Sequence, residues 1–249
     1  MSWKSLRLCI VFSSFIRSIR KKNTLRNYER LLPKFSGRFG SREAGAITSD
    51  EILSFLTEVT EGTKQSTKRL RYSLLASFFN FIRNSIDPGF QNGCDSPILR
   101  KLFREPKPNQ WKIRDKDVVD EIVFRTENPR NRLLLELMAR AGMRVSEVLR
   151  VTPNDIEDRK IVIRDTKSGR EFEVVFVPRK LADRLKAYIR AENIEPDRRV
   201  FPIKYPAARL VVKKAGRLVG IDLSPHDLRR HAATYASRAG TPLEIVSKE

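Results

Sequence analysis

Ser224-Pro225-His226-Asp227-Leu228-Arg229 is the stretch of this 249-residue chain best suited to hold an anion. Ser224 is a helix N-cap, Pro225 fits the first helical position, and Asp227 completes a capping box. His226 and Arg229 then stand three residues apart on one face of the first turn. The dipole makes that end of a helix positive, so an imidazole and a guanidinium there suit a phosphate. Leu228, Ala232, Tyr235, Ala236 and Ala239 form the opposite, apolar stripe. Arg230 and His231 read as further phosphate contacts or as packing residues. Two other features invite attention: Arg144, just past the helix-stopping Gly142, and Lys167 in the turn Lys167-Ser168-Gly169.

The elements that must position these groups come in two sets. Residues 1–104 read as all-helical. Thr24 to Leu32 carries Leu25, Tyr28, Leu31 and Leu32 at helical spacing. Ser49 is the expected N-cap of a helix with Ile52, Phe55, Leu56 and Val59 inward. Thr63 to Ile86 is a longer helix with an apolar face of Leu70, Leu74, Leu75, Phe78, Phe81 and Ile82. Lys64, Lys68, Arg69 and Arg71 are expected on its other face, in contact with DNA. Pro106, Pro108, Asn109 and Gln110 place a linker at 105–116. Residues 117–249 alternate helix and strand. Arg130 to Ala141 is a helix, Val145 begins a short one, and Ile161 and Ile163 alternate in a strand. Phe172, Val174 and Phe176 alternate in the next strand, joined to the first by the Lys167 turn. Helices follow from Pro178, from Ala207 and from Ser224.

Fifty Lys and Arg against thirty Asp and Glu give a net charge of +20. Residues 1–104 hold 19 basic and 8 acidic side chains, so no single tail carries the excess. Two basic halves suggest two surfaces facing one polyanion, and a nucleic acid is the expected partner. Two cysteines and two histidines give neither a disulfide framework nor a zinc-finger pattern. No apolar run approaches the roughly 20 residues that span a bilayer, and Leu8 to Phe12 reads as the start of an amphipathic helix. The expectation is a cytoplasmic protein without a membrane anchor.

Ala139-Arg140-Ala141-Gly142-Met143-Arg144-Val145-Ser146-Glu147 together with Ser224 to Thr234 resembles the tyrosine recombinase and phage-type integrase family, close to its Xer-like and archaeal members. The resemblance covers nearly the whole chain. It implies a mainly α fold with a small β-hairpin or sheet (α+β): a SAM-like, helical core-binding domain, then a tyrosine-recombinase catalytic domain. By the same resemblance Arg144, Lys167, His226 and Arg229 are the catalytic residues. The two arginines stabilise the phosphorane, Lys167 is the general acid on the 5′-hydroxyl, and His226 assists proton transfer. Lys160 and Arg164 are alternatives to Lys167, and Glu147 braces the site. Arg230 joins Lys64, Lys68, Arg69 and Arg71 as a DNA contact. The implied partners are double-stranded DNA and further copies of the chain, a tetramer on two sites, with no metal and no cofactor. A second His or Trp and the nucleophilic Tyr of such proteins fall beyond Glu249, so a chain truncated before its nucleophile is expected. Two other readings stand beside site-specific recombination or integration: an inactive DNA-binding remnant or competitor of a full-length recombinase, and a basic helical transcription regulator.

Overall fold

The computed structural model describes residues 8–19, 22–104, 113–164 and 172–238. Lys167 and residues 105–112 of the expected linker lie outside them. The chain divides into two compact units, residues 1–110 and 111–249. No helix among the described residues is long and apolar enough to cross a membrane.

The first unit contains α1 (Leu8–Ser18), α2 (Lys22–Phe39), α3 (Ser49–Val59), α4 (Gln65–Ser85) and the short α5 (Pro97–Leu102). Their apolar faces meet around Phe35, Phe55, Phe78 and Phe79, all fully buried. Phe35 and Phe55 pack edge-to-face at 5.1 Å, and Phe15 meets Tyr28 the same way at 4.8 Å. Helix α2 runs on past Pro33, where a proline removes one intrahelical bond. Pro33 is exposed, while Phe35 and Phe39 beyond it are buried. Burying those two rings outweighs the lost bond, so the helix does not stop at Leu32.

Two expectations for this unit are corrected. The N-cap of α3 is Thr48, not Ser49. The Thr48 hydroxyl accepts the Glu51 N–H, and Glu51 accepts the Thr48 N–H at 2.9 Å. Ser49 instead donates to the Gly93 carbonyl at 2.8 Å, a contact no local pattern announces. Thr48→Ala is therefore expected to cost about 1 kcal/mol of stability in urea unfolding.

The second correction concerns α4. Its buried stripe is Leu74, Leu75, Phe78, Phe79 and Ile82; Phe81 is half-buried and Leu70 is 41% exposed. At 100° per residue, Lys64, Lys68 and Arg71 fall within about 40° of Leu75. They continue the core stripe toward the N-terminus, beyond the point where the core ends, and do not oppose it. Only Arg69 lies on another face, about 120° away. Lys68 and Arg71 are half-buried, and Arg71 Nη1 donates to the Asn27 carbonyl of α2 at 3.2 Å.

The second unit contains α6 (Lys116–Arg125), α7 (Pro129–Arg140), the one-turn α8 (Val145–Val148), strands β1 (Ile156–Glu157), β2 (Lys160–Arg164) and β3 (Phe172–Phe176), then α9 (Arg179–Ala191), α10 (Tyr205–Arg217) and α11 (Pro225–Arg238). The strands form one antiparallel sheet in the order β1-β2-β3. Helix α7 is the centre of this unit: Leu133, Leu134, Leu135, Leu137 and Met138 are all buried, and α6, α8, α9 and α11 pack on it. Seven consecutive residues, Leu133 to Ala139, are buried, so this stretch is covered on every side and sits in the middle of its unit. The fold class read from the sequence, mainly α with a small sheet, is the fold observed.

Candidate functional site

The site is built at the corner between α7 and α8. Ala141 ends α7, and Gly142 follows at φ +65°. A residue with a Cβ is disfavoured in that left-handed conformation, so glycine is what lets the chain reverse at once. The Met143 N–H returns to the Leu137 carbonyl at 3.3 Å, and Arg144 stands as the N-cap of α8.

Glu147, three residues on, is buried in the first turn of α8. Its Oε2 accepts the Arg144 backbone N–H at 2.7 Å, and its Oε1 accepts Arg144 Nη1 at 2.6 Å. The same carboxylate faces Arg229 of α11, whose Nη1 lies 3.9 Å from Oε2. Arg229 Nη1 also donates to the Gly142 carbonyl at 2.5 Å. One buried acid thus gathers two guanidinium groups that are 85 residues apart in the chain. Their side chains are 31% and 15% exposed, so both are oriented by protein yet partly open to solvent.

Helix α11 starts as its sequence predicts. Asp227 Oδ2 accepts the Ser224 N–H at 2.8 Å and the Ser224 hydroxyl at 2.7 Å. His226 is exposed in that first turn. Arg230 donates to Asp227 at 3.3 Å with its side chain 37% exposed. The opposite stripe differs in part from expectation. Leu228 is buried, but Ala232, Tyr235 and Ala236 are only half-buried, and His231 is buried instead. His231 Nδ1 lies 3.0 Å from the Arg114 carbonyl oxygen, which can only accept, so Nδ1 carries the proton. Burial pushes the imidazole below its ordinary pKa, and the Arg114 bond opposes that; nearby Arg140 and Lys116 add to the fall. His231 is a packing residue. The Tyr235 hydroxyl accepts the Lys116 N–H at 3.0 Å, and its ring lies against that of His231, tilted by 39° with centroids 4.4 Å apart.

The structure therefore brings Arg144, Arg229 and Glu147 together, with His226 three residues before Arg229 on α11. Of the two alternatives to Lys167, Arg164 donates its Nε to Asp155 at 2.9 Å, and Lys160 stands at the opposite end of β2. Asp155 went unnoticed in the sequence, although Thr152-Pro153-Asn154-Asp155 carries a capping-box signal. Its carboxylate accepts the Thr152 N–H and hydroxyl at 2.9 and 2.8 Å as well as Arg164. Lys64, Lys68, Arg69 and Arg71 belong to the other unit.

The chain thus has a helical unit followed by a helical unit with a three-stranded sheet and a carboxylate-pinned arginine pair. The chain belongs to the phage integrase family: residues 113–248 match the Phage integrase family model, and residues 12–85 match the Phage integrase, N-terminal SAM-like domain. It is 26% identical over 241 residues to the tyrosine recombinase XerA of Saccharolobus solfataricus, covering 95% of this chain and 73% of that one. It is 27% identical to the XerA of Pyrococcus horikoshii, covering 92% and 79%. Among solved structures it resembles the Tn1549 transposon integrase in complex with a circular intermediate DNA. That likeness has a TM-score of 0.70 at 17% identity, over 97% of this chain and 90% of the other. It also resembles a lambda integrase dimer bound to a COC′ core site, with a TM-score of 0.67 at 17% identity, over 94% and 91%.

Proposed function

We propose that the protein acts in site-specific DNA recombination, as a tyrosine-type recombinase that binds double-stranded DNA and cradles a scissile phosphate. The observation that carries this reading is the hold of Glu147 on both Arg144 and Arg229. In strand exchange a tyrosine oxygen attacks phosphorus, the 5′-oxygen leaves, and the phosphorane between them carries extra negative charge. Two fixed guanidinium groups stabilise that charge without reorganising at the moment of reaction. His226 assists proton transfer, and Lys167 gives the departing 5′-oxygen its proton. Tyr235 does not supply the nucleophile, because its hydroxyl is held by Lys116 and its ring by His231. Lys64, Lys68, Arg69 and Arg230 are the proposed phosphate contacts outside the site, and Arg71 reaches them with one nitrogen already engaged on Asn27. The protein works in the cytoplasm, and copies of it assemble on the DNA.

The test is selection of a binding site from random duplexes, then replacement of each phosphate in the recovered site by a neutral methylphosphonate. Wild-type protein is expected to lose about ten-fold in affinity at one phosphate per half-site, as for a charge-assisted bond. The Arg144→Ala, Arg229→Ala protein should be indifferent to that same replacement. A scan in which no phosphate distinguishes the two proteins sinks the assignment.

A further inference from the structure

The sheet has an outer face whose β3 side chains, Phe172, Val174 and Phe176, the recombinase reading does not use. In an antiparallel pair, residues directly opposite each other share a face. The register pairs Ile161 with Val175 and Ile163 with Glu173, and Ile161 and Ile163 are buried, so this is the inward face. The outward face pairs Lys160 with Phe176, Val162 with Val174 and Arg164 with Phe172. Phe172, Val174 and Phe176 are 60%, 42% and 64% exposed. Strand alternation was expected here; the surprise is that the aromatic side looks out. Each exposed ring has a cation directly across from it, Arg164 beside Phe172 and Lys160 beside Phe176.

We propose that this face binds unpaired nucleotides of single-stranded DNA. A ring beside a cation offers a surface for a base and a partner for its phosphate, and here that module occurs twice. The rings are four residues apart on one strand, about 13 Å. Stacked bases in a duplex rise only about 3.4 Å and hide their flat faces from the solvent. Two rings so far apart therefore fit bases splayed along an extended strand and not those of an intact duplex. The charge favours a polyanion over a second copy of the chain: a copy docked face to face would set Lys160 and Arg164 against the same cations. Among the described residues, Glu157 is the one acid paired onto this face, opposite Lys160. Arg164 keeps a side chain 71% exposed while its Nε bonds Asp155.

The proposal does not depend on the arginine site and is tested apart from it. Fluorescence anisotropy would follow binding of the full chain to a labelled oligothymidylate and to a blunt mixed-sequence duplex. Phe172→Ala with Phe176→Ala should weaken oligothymidylate binding about ten-fold or more and leave duplex binding unchanged. Phe172→Tyr with Phe176→Tyr keeps both rings and should bind like wild type, which separates lost stacking from lost folding. Unchanged oligothymidylate binding in the alanine variant overturns the proposal, as does an equal loss on both DNAs. A loss of concentration-dependent self-association in sedimentation velocity, with single-strand binding intact, overturns it in favour of a second copy.

Discussion

Glu147→Ala is expected to destabilise the second unit by about 3 kcal/mol and to leave it hungry for anions. The carboxylate is buried and takes three bonds or contacts, from the Arg144 N–H, Arg144 Nη1 and Arg229 Nη1. Removing one partner of a buried pair leaves charge uncompensated, which costs about 3–5 kcal/mol; the partial exposure of Arg144 puts this case at the low end. The two guanidinium groups then repel each other across the vacated position. An added oxyanion can take the place of the carboxylate, and a ligand that binds only the folded state stabilises it. Urea unfolding in rising inorganic phosphate should therefore recover more stability for Glu147→Ala than for wild type. Glu147→Gln keeps the shape and loses the charge, and should fall between them. If phosphate shifts the alanine variant and wild type equally, Glu147 does not hold the pair in the way described.

The second large effect is expected at Gly216, in the last turn of α10. A Cβ there would meet the Leu223 Cβ at 2.5 Å, the Ile221 carbonyl oxygen at 2.8 Å and the Leu223 nitrogen at 3.2 Å. Two of those atoms are backbone and the third is a Cβ, so none can rotate away. The Ile221 N–H also bonds the Gly216 carbonyl at 3.0 Å, which ties the two segments together. Gly216→Ala must push α10 from residues 221–223, at a cost of about 3 kcal/mol. Leu223 is buried immediately before Ser224, so the displacement reaches the cap of α11 and with it His226. Gly37 is the control. It lies in α2 with nothing within 4 Å of a built Cβ, and Gly37→Ala should stabilise by about 0.5–1 kcal/mol. Opposite signs for one chemical change, read by thermal or urea unfolding, check the close approach directly. Equal and small shifts at both positions would refute it.

What the amino-acid sequence determined by itself about this protein is what depends on neighbours a few residues apart. The start of α11 at Ser224, the stop at Gly142, the strands around Ile161 and Phe172 and the helical first half all rest on capping, turn chemistry or hydrophobic period. The resemblance carried by the Arg144 and His226 stretches named the family, because the motif residues are contiguous. The tertiary structure decided the rest. Arg144 and Arg229 meet only because α11 packs on α7 and sets Arg229 against Glu147, a contact that no local pattern encodes. Lys64 and Lys68 lie in line with the core stripe of α4 because the core ends before the helix does. Thr48 and not Ser49 is the cap because Gly93 takes the Ser49 hydroxyl. In β3, alternation announced two unlike faces but not which one turns inward. Pairing with Ile161 and Ile163 settled that, turning half-buried Val175 inward and leaving Phe172 and Phe176 outside. Local bonds are specified by sequence separation, whereas which surfaces meet is specified by how all the elements bury their apolar area at once.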